Sequence, residues 1–366
     1  AGNGDHQGFG RVGGDGVMIQ LKDLCQKASS NIAQKDLEGH EGQYPIYGAS
    51  GLIGYVDFYK QENPYVAVVK DGAGIGRVMC LPEKSSVIGT MQYILPNEGV
   101  NVHYLAFAME HMNLAKYFSG ATIPHIYFKD YCTERLPKNS EAEQKQISTT
   151  LSRVTELISL RKQQLSKLDE LIKARFVEMF GDCKTNPKNW KTKALEKIAN
   201  VGSSKRVFVE ELQNSGIPFY RGTEIGALAE KKAVIPALFI TEEHYKQLCE
   251  TTGKPQKGDL LMPSICPDGR IWIVDTDESF YFKDGRVLWV HLTSANYNSV
   301  FLLYTLKDRI MTDYASIASG TTFAELKIFS LKKCRVFDAP IALQNEFAAF
   351  VERVDQQKQT VQQSLE

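Results

Sequence analysis

Residues 119–137 read SGATIPHIYFKDYCTERLP, and residues 319–337 read SGTTFAELKIFSLKKCRVF. Both segments begin with a Ser-Gly-x-Thr motif and continue as a short alternating apolar stretch. The two motifs lie 200 positions apart in a chain of 366 residues. Because solenoid repeats have periods of roughly 20–50 residues, a period of this length indicates the duplication of a whole domain.

Further pairs of similar segments extend the repeat along the chain. Each copy has a segment ending in Ser-Ser, a segment with Tyr and Gly, two strands around a glycine-bearing turn, and an amphipathic helix leading into the Ser-Gly motif. The sequence therefore predicts an α+β fold, in which two similar mixed α/β domains form a pseudo-two-fold internal repeat. The paired segments are 17–30 with 190–204, 44–54 with 217–227, 65–81 with 258–274, and 101–123 with 297–323.

A long helix is predicted after the first domain. Residues 141–180 contain no Gly and no Pro, Ser140 and Glu143 fit a capping box, and Gly181 fits a left-handed stop. Apolar residues recur with a heptad period there and in 341–366, so we expect the two helices to join the domains as an antiparallel coiled coil. The predicted seam residues are Ile147, Leu151, Val154, Ile158, Leu165, Leu168 and Ile172, together with Phe347, Val351, Val354 and Val361.

These patterns predict five segments. Residues 1–16, rich in glycine, are expected to be a flexible tail or one added for expression. Residues 17–138 and 182–338 are predicted to be the two domains, with the long helices at 139–181 and 339–366. The second helix is shorter than the first, so we expect it to be truncated or to be completed by another subunit.

Overall charge does not reveal a partner, since Lys+Arg and Asp+Glu each number 43. Residues 184–206 nevertheless carry seven cations against the single carboxylate of Glu196, which fits either a solvated face or a local nucleic-acid footprint. The seven cysteines include no C-x-x-C pair, so they are expected to be free thiols in a reducing compartment. No apolar run approaches the roughly 20 residues of a membrane span. We therefore expect a cytoplasmic protein.

No strong catalytic motif is present. The segment GAGIG at 72–76 lacks the G-x-G-x-x-G spacing, and neither a P-loop nor a G-x-S-x-G or H-E-x-x-H motif occurs. The Asn/Asp-Pro-Pro-aromatic tetrapeptide of amino-methyltransferases is also absent. The sequence therefore predicts a binding protein that has no catalytic residues, metal or cofactor of its own.

Three motifs resemble the DNA-specificity subunits of type I restriction–modification systems. They are YPIYGASGLIG at 44–54, KDGAGIG at 70–76, and Pro137 followed by Glu143-Gln144 and Ile147. The resemblance covers residues 17–366 and is close in the first half. In the second half, Tyr220-Arg221-Gly222 and Pro267-Asp268-Gly269-Arg270 depart from the family pattern.

The resemblance implies the function and the partners. Each target-recognition domain would read one half of a bipartite site on double-stranded DNA, and the helices would set the spacing between the halves. Modification subunits, which methylate adenine with S-adenosylmethionine, would dock on the helices, and restriction/translocase subunits would add ATP- and Mg²⁺-dependent cleavage. The chain itself would be a non-catalytic specificity subunit.

DNA recognition needs two kinds of side chain in each domain. Lys, Arg, Ser and Thr contact phosphates, whereas Arg, Lys, Asn and Gln can read base edges with paired hydrogen bonds. On this basis the predicted DNA-binding residues are Tyr47, Ser50, Lys70, Arg77, Gln92, Ser119 and Thr122 in the first domain, and Lys205, Arg206, Arg221, Thr223, Arg270, Ser319 and Thr322 in the second.

Two other functions fit the same sequence. A stand-alone or antitoxin-like DNA-binding protein would share the domains but would need no docking surface on the helices. Leu157, Leu160 and Leu171 lie off the heptad register, which favours such a surface. An enzyme that holds a phosphate ligand at the Lys70–Arg77 turn would instead bind that ligand with one isolated domain.

Overall fold

The computed structural model describes residues 17–120, 124–320 and 324–365. The predicted tail at 1–16 and the candidates Thr122 and Thr322 lie outside the described residues. The chain divides into two units, residues 1–160 and 161–366, and the boundary falls inside one long helix. Each unit contains its own sheet and its own hydrophobic core.

The first unit is organised around an antiparallel sheet of strand order β2-β8-β5-β6. Its strand β5, YVAVV, is buried at every position, as expected for an apolar strand covered on both faces. A smaller sheet has the order β4-β3-β7. The elements are β1 (Met18–Gln20), α1 (Leu21–Leu24), β2 (Cys25–Ser29), β3 (Tyr44–Gly48), β4 (Gly51–Val56), β5 (Tyr65–Val69), β6 (Val78–Leu81), β7 (Ser86–Val87), β8 (Met91–Pro96), α2 (Val102–His111), α3 (Phe128–Tyr131), β9 (Arg135–Pro137) and the start of α4 (Glu141–Phe180).

The second unit repeats this sheet with the order β11-β17-β14-β15. It also contains the end of α4. The other elements are β10 (Thr192–Ala194), β11 (Ala199–Gly202), β12 (Ile217–Tyr220), α5 (Gly222–Ala229), β13 (Phe239–Ile240), α6 (Glu242–Thr252), β14 (Leu260–Pro263), β15 (Trp272–Ile273), β16 (Tyr281–Phe282), β17 (Val287–Leu292), α7 (Ser299–Ile317), β18 (Ala318–Ser319), β19 (Glu325–Leu326), α8 (Ile328–Lys333), β20 (Arg335–Phe337) and α9 (Ile341–Gln363).

The structure confirms the predicted fold class and internal repeat. In each unit the first strand pairs antiparallel with the last, β1 with β9 and β10 with β20. A short parallel pair, β3 with β7 and β12 with β16, lies beside each main sheet. The main sheets of the two units therefore have the same strand order although their side chains differ.

One predicted correspondence is wrong in detail. Segments 44–54 and 217–227 were expected to match, but the first folds as the β3–β4 hairpin and the second as β12 followed by the helix α5. Gly51, at φ +116°, allows the tight hairpin turn. In the second unit the side chain of Glu224 accepts a hydrogen bond from the backbone N–H of Arg221 (2.9 Å), which caps the start of a helix instead.

The long helix α4 has the predicted bounds. Its N-terminus carries the expected capping box, in which the Ser140 N–H donates to Glu143 Oε2 (2.7 Å) and the Glu143 N–H donates to Ser140 Oγ (3.4 Å). Gly181 adopts φ +86° directly after the last helical residue. A side-chain cap and a left-handed glycine thus define both ends.

Within the second unit, the end of α4 packs antiparallel against α9. Arg175 contacts Glu346 (2.9 Å), and Asp169 contacts Lys358 (2.6 Å), so the order of partners reverses along the pair. Phe347 is fully buried, and its ring centroid lies 5.5 Å from that of Phe176. This part of the predicted helix pair is therefore a packed aromatic core.

The predicted seam differs from the structure at several positions. Ile172 is buried together with Phe347, Val351, Val354 and Val361, while Leu165 and Leu168 are half-buried. Phe176 fills the position next to Arg175, which pairs with Glu346 at the edge. In the first unit Ile147 is half-buried, and the structure does not bury the next three seam residues: the exposed fractions are 38% for Leu151, 46% for Val154 and 41% for Ile158.

A buried glutamine fixes each helix to its own domain. Gln144 accepts from the Asn101 N–H (3.0 Å) and donates to the Asn139 carbonyl (3.0 Å). Gln344, 200 positions later, accepts from the Asn298 N–H (3.0 Å) and donates to the corresponding Ala339 carbonyl (2.7 Å). These paired joints are a further sign of the duplication.

All seven cysteines are free thiols. Burial raises the pKa of Cys25 and Cys266 to about 12 and that of Cys334 to about 11. In the part of the chain that the structure describes, no helix is long and apolar enough to cross a membrane.

Candidate nucleic-acid interface

In the first domain, the structure brings the β3–β4 hairpin and the predicted glycine turn together. Ser50 lies in the exposed turn between β3 and β4, next to Tyr47 at the end of β3. Arg77 closes the turn after β5, and its Nη1 donates to the Ala49 carbonyl (2.7 Å). The guanidinium is largely exposed, so its remaining donors face solvent at the same edge as Ser50.

The Ser-Gly motif joins this edge through backbone hydrogen bonds. The N–H and carbonyl groups of Ser119 pair with those of His125 (2.8 and 2.9 Å). The Ile126 N–H then donates to the Lys70 carbonyl (3.0 Å). Ser119 and Lys70, predicted separately as DNA-binding residues, are therefore connected through the backbone.

Charges in this site are close together. Asp71 lies 3.7 Å from Lys70 Nζ and also contacts His125. Burial raises the pKa of the Tyr47 hydroxyl, and neighbouring Tyr55 raises it further. The Tyr47 phenol therefore remains a neutral donor at physiological pH, able to hydrogen-bond a phosphate or a base acceptor.

Gln92 is not part of the exposed site, which corrects the prediction. It lies in the central strand β8, is 7% exposed, and accepts a hydrogen bond from the Tyr131 hydroxyl (3.3 Å). Its strand pairs with both β2 and β5, and its first four residues are buried in succession, so both of its faces are covered. Gln92 satisfies a buried tyrosine in the core.

In the second domain, Lys205 and Arg206 lie beside the turn between β16 and β17. The Lys205 N–H donates to the Tyr281 hydroxyl (3.0 Å), which fixes the backbone. Arg206 Nε lies 3.1 Å from Asp284, while most of the Arg206 side chain is exposed. Both cations are therefore held at the surface of the domain.

The remaining predicted cations of this domain are engaged by carboxylates. Arg221 pairs with Glu224 (2.7 Å), to which Thr223 Oγ1 also donates (2.9 Å). Burial alone would raise the pKa of Glu224, but the hydrogen bonds from Arg221 and Thr223 outweigh it and lower the pKa to about 2. Arg270 contacts Asp268 (2.8 Å) and Glu230 (3.7 Å).

The second Ser-Gly motif is held like the first. Ser319 pairs with Glu325 across β18 and β19, and the Leu326 N–H donates to the Ser264 carbonyl (2.7 Å). Glu325 also forms an ion pair with Arg286. The structure thus places Ser319 at the base of a loop tied to the turn after β14.

Sequence analysis missed the ionic residues at the bases of these loops. His125, which contacts Asp71, and Glu325, which contacts Arg286, occupy equivalent places, since each follows its serine by six positions. A direct comparison of the two motifs shows one polar residue inside each apolar alternation. That signal could have identified His125 and Glu325, but their partners are distant in sequence.

Comparisons with known proteins agree with this architecture. Residues 15–170 match the type I restriction modification DNA specificity domain. A putative type I restriction enzyme specificity subunit of Haemophilus influenzae is 23% identical over 363 residues, which cover 96% of this chain and 91% of that protein.

Solved structures share the fold. The type I restriction–modification S subunit from M. genitalium gives a TM-score of 0.62 at 15% identity, covering 97% of this chain and 94% of that one. A structure described as the basis of complex assembly and conformational transition of the type I R-M system gives 0.53 at 14% identity, covering 96% and 93%.

Proposed function

We propose that this chain is a DNA specificity subunit of a type I restriction–modification system and reads a bipartite DNA sequence with its two domains. The observation that carries the proposal is the doubled recognition edge. In both units a Ser-Gly loop is tied by a backbone hydrogen bond to the turn that follows the same sheet strand, at Lys70 and at Ser264. Two such edges with different side chains suit two different half-sites.

Within the first domain, the exposed groups divide between the two tasks of DNA binding. Lys70 and Ser119 would contact phosphates, which position the domain. Arg77 has exposed paired donors that match the O6 and N7 acceptors of guanine, a contact worth about 1–3 kcal/mol of discrimination. Tyr47 and Ser50 lie on the same edge and would add single hydrogen bonds.

Within the second domain, DNA would have to compete with carboxylates. Arg221, Arg206 and Arg270 are each oriented by an acidic neighbour. Such pairs hold a guanidinium in one position, so base edges that replace the carboxylate would meet a preformed donor. Thr223 and Lys205, at the same surface, would contact phosphates.

The helices are proposed to dock the modification subunits. On the part of α4 in the first unit, Leu157 is 58% exposed and Leu160 is 51% exposed, next to the exposed Leu151, Val154 and Ile158. Exposed apolar side chains grouped on one helix are typical of a surface that binds a partner. This favours a specificity subunit over a stand-alone DNA-binding protein.

The chemistry would belong to the partners. S-adenosylmethionine would bind the modification subunits, and ATP with Mg²⁺ would bind the restriction/translocase subunits. This chain would supply recognition and spacing without a catalytic group. Its seven free thiols and its DNA substrate are consistent with the cytoplasm.

The test is co-expression with the modification subunit of the same system, followed by mapping of adenine methylation across the host DNA. We expect methylation at one split motif, and its complete loss when this chain is omitted. Methylation that persists without the chain, or a chain that forms no complex and binds DNA alone, would contradict the proposal. The second outcome would identify a stand-alone binder.

A further inference from the structure

Five basic side chains surround the short helix α8 of the second domain. We call them the α8 basic surface, and they line two clefts. The first cleft, of about 300 Å³, is lined among others by Arg309, Asp313, Phe329, Lys333 and Arg335. The second, of about 390 Å³, is lined by Lys197 and Lys332 together with the chain from Glu196 to Val201. The α8 basic surface is thus Lys197, Arg309, Lys332, Lys333 and Arg335.

The two clefts lie on either side of the same helix end. The Leu195 N–H donates to the Cys334 carbonyl (2.9 Å), which joins the turn carrying Lys197 to the residue after α8. Lys332 and Lys333 are consecutive, and each lines a different cleft. The cations of the two clefts are therefore carried by segments that are joined by a backbone hydrogen bond.

The carboxylates that line the clefts are only two, Asp313 and Glu196, against the five cations of the surface. Arg309 contacts Asp313 (3.3 Å), but its Nε is buried and has no hydrogen-bond acceptor among the described residues. In a chain with zero formal net charge, this is a local positive excess. It attracts anions.

Structural contacts account for part of the surface, since Arg309 pairs with Asp313 (3.3 Å) and Arg335 donates to the hydroxyl and carbonyl oxygens of Thr192 (3.1 and 2.8 Å). Lys332 and Lys333 stabilise the C-terminus of α8 through the helix dipole. Lys197 and Arg309 lie on other elements, however, so they gain nothing from that dipole. Phe329, which is largely exposed, has the Lys333 ammonium 3.8 Å from its ring centroid, so an apolar face is also present.

The first domain lacks the two lysines at the end of α8, although Arg135 stands where Arg335 stands in the second domain. Cys132 and Thr133 stand where Lys332 and Lys333 stand in the second domain, and Glu134 follows them. Glu134 is already paired with Lys116 (2.6 Å). The positive excess is therefore a property of the second domain and not of the shared fold.

We propose that the α8 basic surface binds the phosphate backbone of duplex DNA beside the half-site read by the second domain. The first cleft is also lined by Ser316 and Ile317, which lie three and two positions before Ser319 at the base of the recognition loop. The surface thus continues the recognition edge instead of standing apart from it. The inference rests on the proposed function and adds a sequence-independent anchor at one end of the site.

The test compares the salt dependence of DNA binding by two triple variants of the full chain assembled with its modification subunits. The first is Lys197→Gln/Lys332→Gln/Lys333→Gln. The matched control, Lys22→Gln/Lys27→Gln/Lys35→Gln, removes the same charge from exposed lysines of the first domain. Each phosphate contact contributes about 0.9 to the slope of log affinity against log salt concentration.

On a duplex with a long flank beside the second half-site, the first variant should lower that slope by about 2–3, and the control should leave it unchanged. Trimming the flank should remove the difference between wild type and variant. The methylated motif should stay the same, because phosphate contacts carry no sequence information.

Equal slopes for the first variant and wild type on the flanked duplex would overturn the inference. Equal slopes combined with weakened subunit assembly would also overturn it and would assign the surface to an acidic protein. Binding by the wild-type complex distinguishes a failure of the proposed function from a failure of the DNA anchor. If it does not discriminate its motif from a scrambled duplex, the proposed function fails; if it does and the slopes are equal, the DNA anchor alone fails.

Discussion

The first domain carries the β3–β4 hairpin at the edge of its candidate site, whereas the second domain carries the helix α5 at the matching place. Behind these elements the main sheets have the same strand order. The sheet depends on buried apolar strands, which tolerate few changes, while the surface elements can be exchanged if their ends stay in place. Duplication followed by exchange of surface elements gives two different surfaces on one scaffold.

The charges of the two domains differ in the same way. In the first, Arg77 contacts a backbone carbonyl and keeps donors free. In the second, Arg221 is held by Glu224. At the loop bases, the histidine–aspartate contact of the first domain is replaced by Arg286 with Glu325. Equivalent positions thus carry ionic contacts of different chemistry.

The largest expected effect is a loss of stability in the second unit that has no counterpart in the first. Phe347→Ala removes a fully buried ring from the aromatic core of the second unit and should lower its free energy of unfolding by about 3–5 kcal/mol. The exposed Leu157→Ala in the first unit should change stability by less than about 0.5 kcal/mol.

Tryptophan fluorescence during urea unfolding measures this effect for one unit. All three tryptophans, Trp190, Trp272 and Trp289, lie in the second unit. If Phe347→Ala lowers the free energy of unfolding by less than about 1 kcal/mol, the described packing of α9 on α4 is contradicted.

A smaller effect should be the same in both units. Gln144→Ala and Gln344→Ala each leave a buried backbone N–H and a carbonyl without their partner, at a cost of about 1–3 kcal/mol. The exposed Gln146→Ala and Gln356→Ala serve as controls. A cost in only one of the two units, measured by chemical denaturation, would show that the helix joints are not equivalent.

The smallest effect concerns the helix that distinguishes the second domain. Glu224→Gln weakens the cap of α5 and should cost about 1 kcal/mol at pH 7. The folded pKa of Glu224, about 2, lies below its ordinary value of 4.5. Its stabilisation is therefore complete above pH 4.5 and is lost as the pH falls towards 2.

The difference in stability between Glu224→Gln and wild type should consequently shrink as the pH is lowered from 5 to 3. Tryptophan fluorescence again reports the unit concerned. A difference that grows on acidification would contradict the ion pair between Arg221 and Glu224.

The features predicted from the sequence are those with strong local signals: the repeat, the capped helix α4 and the strands around each glycine turn. The predicted seam differs from the buried positions because a straight helix has 3.6 residues per turn, whereas the heptad pattern assumes 3.5. Over the length of α4 this difference moves the buried position from Arg175 to Phe176.

Contacts between segments that are distant along the chain could not be predicted from local sequence patterns. Gln92 looked like a base reader because a polar residue in a strand usually faces solvent, but β8 is covered on both faces and Tyr131 supplies its partner. Hairpin and helix were also indistinguishable at 44–54 and 217–227, since both segments are short and rich in glycine. The helix in the second segment is capped by one side chain, that of Glu224.

The central claim is that each domain reads its own half of one DNA site. The most direct measurement is competition binding by the assembled complex, using duplexes altered in one half or the other, for Arg77→Gln and Arg221→Gln. The account predicts that Arg77→Gln relaxes discrimination in one half only and that Arg221→Gln relaxes it in the opposite half only. Relaxation of the same half by both variants, or of neither half, would contradict it.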